Sequence, residues 1–162
     1  GIHIDPMIYY ENCESDYAGF VKQVIEATNA EQIAWISLGS LRFNPEMKKK
    51  MEHNFPASTI SATEMILGND GKLRYPKPLR LKMYEAVLDA LREALGIQDL
   101  SPLTAVTKHK PLFYFCMERS DVWKRLLGDS PTSIGHLDYL FARSLQTRFK
   151  FELHAPVLRD YM

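Results

Sequence analysis

Ile33-Ala34-Trp35-Ile36-Ser37-Leu38 is a nearly continuous apolar run that ends at Gly39. A strand covered on both faces reads this way, because both of its alternating sides must be apolar. Such strands belong to parallel sheets flanked by helices, so the neighbouring segments decide the fold. Upstream, Tyr17, Phe20, Val21, Val24 and Ile25 recur at helical spacing within Ser15–Thr28, with Ser15 at a capping position. Ahead of them, Ile2, Ile4, Met7 and Ile8 mark a first strand whose regular part Pro6 limits. Downstream, Asn44-Pro45-Glu46 supplies a cap, a first-turn proline and an acid, and Met47, Met51 and Phe55 share one face of a short helix.

The middle of the chain predicts a β-hairpin. Glu64–Leu67 and Lys72–Tyr75 are its arms, and Gly68-Asn69-Asp70-Gly71 is its turn. Pro78 opens a helix carrying Leu81, Tyr84, Leu88, Leu91 and Leu95, and Gly96 stops it. Residues 97–110 read as a loop, and Leu112–Met117 as a buried strand containing Cys116 as a core residue. Ser120 and Asp121 start a helix ending at Gly128, Thr132 or Ser133 starts another, and residues 149–162 hold a last strand. The order is α/β with parallel crossovers, in one region with no internal repeat and no linker dividing it. Beginning at once on a strand suggests a chain cut inside a larger fold.

At 162 residues, 46% hydrophobic and 25% charged, the chain is an ordinary globular domain that needs neither metal nor disulfide to fold. No run approaches a membrane span, and GIHIDPMIYY is no secretory signal. Cys13 and Cys116 form no ligand motif, which fits reduced thiols in a cytoplasmic protein. Twenty basic residues balance twenty acidic ones, so a nucleic-acid partner must be met by a local patch.

The hairpin region offers that patch. Lys72, Arg74, Lys77, Arg80 and Lys82 place five positive charges in eleven residues with no acid between them, and Arg74 adjoins Tyr75. Cations neutralise phosphates and rings stack on bases, while a hairpin can wedge a duplex open. A charged guard on an edge strand uses the same residues. His3 and Asp5 share a strand face, where a carboxylate can orient an imidazole toward a ligand. Ser37, Ser40 and Arg42 follow the second strand and could hold an anion, or serve the turn around Gly39. Strand C-terminal ends are where ligands collect in such folds.

Four blocks resemble the spore photoproduct lyase family. They are Ile2–Tyr10, Trp35–Phe43, Gly71–Arg80, and Phe115–Glu118 with Val122-Trp123, in family order across residues 2–123. The resemblance implies the C-terminal part of a partial (β/α)6 radical SAM barrel with an inserted hairpin. It implies a DNA repair enzyme that uses a 4Fe-4S cluster and S-adenosylmethionine to reverse a UV-induced thymine dimer. Arg74 and Tyr75 match the family's wedge pair, so the resemblance gives Lys72, Arg74, Tyr75, Lys77 and Arg80 to DNA. It turns His3, Asp5, Ser37 and Arg42 toward the cofactor or substrate at the barrel mouth.

The cluster motif CxxxCxxC is absent, as are the family's hydrogen-donating cysteine and tyrosines, all of which belong upstream. The expectation is therefore no bound metal and no lyase activity for these 162 residues alone. A cluster-less nucleic-acid-binding relative, or an enzyme of the same superfamily with another substrate, are the competing readings.

Overall fold

Three parallel strands carry the architecture in a computed structural model that describes residues 1–104, 107–150 and 157–161. The elements are β1 (Ile2–Met7), α1 (Cys13–Ala27), β2 (Trp35–Ser40), β3 (Arg42–Phe43), α2 (Pro45–Asn54), β4 (Ile66–Leu67), β5 (Leu73–Arg74), α3 (Lys77–Leu95), β6 (Leu112–Phe115), α4 (Ser120–Leu127) and α5 (Ile134–Phe149). The parallel sheet has the order β1-β2-β6, with Ile4 beside Leu38 and Leu38 beside Phe115.

Side-chain alternation divides this sheet into two faces. Ile4, Ile36, Leu38, Phe113 and Phe115 point into a core shared with Val21 and Ile25 of α1 and Met83, Val87, Leu88 and Leu91 of α3. Helices α1 and α3 pack on each other over this face. The opposite face carries Trp35 and Tyr114, whose rings meet Phe141 of α5 edge-on at 5.2 and 5.0 Å. Ser144 of α5 is fully buried and donates to the Ala34 carbonyl at 2.9 Å, which fixes α5 beneath the start of β2.

The predicted hairpin is present, but it does not stand alone. A second sheet of order β3-β5-β4 is antiparallel and puts β5 in its middle, with Arg74 beside both Arg42 and Ile66. Gly71, at φ 74, supplies the left-handed backbone the turn requires. Gly96, at φ 65, ends α3 as its sequence position predicts.

Other boundaries move. Helix α1 starts at Cys13, two residues ahead of Ser15; the left-handed Asn12 precedes it, and the Ser15 hydroxyl donates back to the Asn12 carbonyl. The loop after α3 is tied down by the buried Lys110, whose Nζ reaches the Ser101 carbonyl at 3.1 Å, Thr104 Oγ1 and Asp99. At the two ends of the segment expected to contain a last strand, Phe149 closes α5 and Leu158–Tyr161 forms a short 3-10 turn, and the expectation itself falls on the residues between them. Residues 151–156 and 162 lie outside the described residues. No helix among the described residues is long and apolar enough to cross a membrane.

Candidate functional site at the strand ends

The C-terminal ends of β1, β2 and β6 bring Asp5, Arg42 and Cys116 together. Asp5 lies across from Gly39 on the neighbouring strand. A Cβ at Gly39 would sit 2.6 Å from the Asp5 carboxyl, so only glycine leaves that carboxylate its place. Arg42 Nη1 stands 3.5 Å from Asp5 Oδ1, and its Nη2 donates to Cys116 Sγ at 3.0 Å. Burial, then the hydrogen bond with Asp5, pushes the Cys116 thiol above its ordinary range, while Arg42 pulls it down. Cys116 is therefore a half-buried member of this polar group and not the core residue its apolar run suggests.

Two further sequence candidates flank the group. Ser37 is fully buried, and its hydroxyl has no hydrogen-bond partner. His3 shares the face of Asp5 but does not pair with it. Its Nε2 accepts from Trp35 Nε1 at 3.4 Å, while Asp5 turns to Arg42.

The hairpin departs furthest from expectation. Tyr75 is 0% exposed, and its hydroxyl accepts the Tyr9 amide at 3.1 Å. A ring so placed cannot stack on a base, so the expected wedge is corrected at this residue. Arg74 is buried in the middle of the second sheet, paired with Asp70 and reaching the Met117 carbonyl at 3.5 Å. Arg80 is buried against Glu118, and its Nε donates to the Tyr75 carbonyl at 2.9 Å, which corrects its assignment to phosphate.

Outside the core, Lys77 meets Asp121 at 2.5 Å and Lys82 meets Glu14 at 2.8 Å. The run of cations is thus matched by acids distant in sequence. Lys72 alone of the five has no ion-pair partner among the described residues.

Several residues that sequence reasoning passed over complete the site. Tyr84 of α3 accepts the Ser40 amide at 2.7 Å and donates to Glu118 Oε1 at 3.0 Å. Glu118 ends the segment Phe115–Glu118, whose sequence gives no sign of its buried partners. Between the hairpin and the turn after β6 lies a cleft of about 620 Å³, lined by Ile66, Leu67, Asn69, Met117 and Arg119 among others.

The two thiols do not fit a cluster that takes three cysteines. Cys13 is buried in the core at the start of α1, and Cys116 is held by Arg42. Among the described residues, no three His, Cys, Asp or Glu side chains are grouped as a metal site would need. Comparisons with protein-family models, with curated proteins and with solved structures returned no match.

Proposed function

We propose that this chain is the C-terminal part of a radical SAM DNA repair enzyme resembling spore photoproduct lyase. One observation carries the reading: the four blocks that resemble the family are also the four segments that touch at the strand ends. Asp5, Arg42 and Cys116 link the first, second and fourth blocks. Tyr9 with Tyr75, and Arg80 with Glu118, tie the third block to the first and the fourth.

Parallel strand order β1-β2-β6 with α1 and α3 on one face supports successive β/α units, and α5 packs on the start of β2 and on β6 from the other face. In that arrangement Asp5, Ser37 and Arg42 lie toward the strand ends, where a carboxylate, a hydroxyl and a guanidinium can orient a polar cofactor or substrate. The cluster and the radical chemistry belong to the upstream half. Of the cations expected to meet DNA, Lys72 is the one without an ion-pair partner among the described residues, and in this reading it contacts phosphate.

The test uses the complete encoded protein, reconstituted with iron and sulfide and reduced in the presence of S-adenosylmethionine. DNA carrying spore photoproduct is expected to be restored to paired thymines. Failure of the cluster-loaded protein to repair the lesion or to cleave S-adenosylmethionine overturns the reading. The second reading is a cluster-less DNA-binding relative. It is favoured by the fit of neither cysteine to a cluster, and it takes over if the complete protein binds DNA without iron.

A further inference from the structure

We propose that the exposed face of α2 is an interface between two copies of this chain, packed antiparallel about a two-fold axis beside Met51. Helix α2 lies between β3 and β4 in the chain, and none of its residues is buried. Its apolar positions nevertheless form one stripe, since Met47, Met51 and the capping Phe55 follow at four-residue steps. Met47 and Phe55 are 47 and 64% exposed, and Ile60 in the turn that follows is 42% exposed. Ten residues are too few to hold a helix by propensity alone, so packing of such a stripe must supply the stability.

Shape and charge both select a second copy as the cover. An isologous interface needs its protruding part and its receiving part on one patch. The receiving part is a groove of about 320 Å³ lined by Met51, Phe55, Ser58, Ile60 and Ser61. The protruding part is Met47, one turn before Met51 and outside the lining of the groove. Antiparallel pairing beside Met51 lays Met47 of each copy over the Phe55 end of the other, where the groove lies. On one flank of the stripe, Lys48 Nζ and Glu52 Oε1 stand 4.0 Å apart, and Ser61 Oγ donates to the same carboxylate at 3.3 Å. The two-fold axis brings that flank against itself. Lys48 of each copy then meets Glu52 of the other, and the charges alternate in sign around the axis. Residues 44–64 set Lys48, Lys49 and Lys50 against Glu46, Glu52 and Glu64, so no net charge draws a polyanion or a polycation to this face.

The experiment follows the mass of the complete protein by sedimentation over a concentration series, where it should pass from one copy to two. Lys48→Glu leaves only acids on the shared flank and should weaken the dimer about tenfold. Glu52→Lys leaves only cations there and should do the same. The double variant, Lys48→Glu with Glu52→Lys, restores the alternation and should dimerise as wild type does, which damage to the fold would not allow. Met51→Cys should give a disulfide-linked dimer on mild oxidation, because residue 51 of each copy faces the axis. Lys49→Cys, on the opposite side of the helix, should not. A protein that stays one copy throughout the series overturns the proposal. A dimer that tolerates Lys48→Glu and yields no linked Met51→Cys species also overturns it, since it would use another surface.

Discussion

At the scale of single residues, Cys116 reports on the polar group at the strand ends. Its thiol is raised by burial and by Asp5, and lowered by Arg42. Removing the carboxylate must therefore lower the thiol pKa, and removing the guanidinium must raise it further. Alkylation goes through the thiolate, so its pH midpoint follows the pKa. Asp5→Asn is expected to shift the Cys116 alkylation midpoint to lower pH, and Arg42→Met to higher pH. Mass spectrometry separates this from Cys13, which is 0% exposed and should stay unmodified in the folded protein. The opposite order of the two variants would show that Asp5 and Arg42 do not act on the thiol as their geometry requires. Gly39 belongs to the same argument, because its missing Cβ is what admits the Asp5 carboxylate.

At the scale of elements, the hairpin depends on the bond between Asp70 and Arg74. Burial raises the Asp70 carboxyl, but the Lys72 amide and the Arg74 guanidinium outweigh it and hold the group below the ordinary carboxylate range. A carboxylate with a depressed folded pKa stabilises above its unfolded value, about 4, and loses that contribution as pH falls through the folded value. Wild type should be more stable than Asp70→Asn at about pH 6, and the gap should close toward about pH 2. A gap of constant size across that range would remove the ion pair from the explanation. The hairpin itself was legible, since Gly68-Asn69-Asp70-Gly71 is a turn signal between two short strand-like arms. Its surroundings were not. Strand β3 is two residues long and carries no periodicity, yet it covers β5 and buries Arg74. A basic run looks like a DNA-facing patch until the acids that meet it are found, and Asp121, Glu118 and Glu14 lie far away in sequence.

At the scale of the molecule, one buried carboxylate joins the parallel sheet, the hairpin sheet and the longest helix. The Ser40 amide donates to Tyr84, Tyr84 donates to Glu118, and Glu118 pairs with Arg80, which in turn donates to the Tyr75 carbonyl. The apolar spacing of α3 placed Tyr84 on its buried face from sequence alone. The polar chain running through that face could not be read there, because each bond crosses at least five residues and most cross more than thirty. Glu118 and Arg80 side chains are 3 and 5% exposed. Removing one member of so buried a pair strands the other charge, at about 3–5 kcal/mol, whereas replacing both by apolar groups of similar volume is often neutral. Domains of this kind are stable by about 5–15 kcal/mol, so Glu118→Gln should take a large share of the total. The double variant Arg80→Met with Glu118→Leu should recover part of that loss in denaturant unfolding. Tyr84 still needs an acceptor for its hydroxyl, so recovery should improve when Tyr84→Phe is added. A single Glu118→Gln variant that unfolds at the wild-type denaturant concentration would mean that the packing of α1 and α3 on the sheet, not this chain of polar contacts, holds the hairpin to the strand ends.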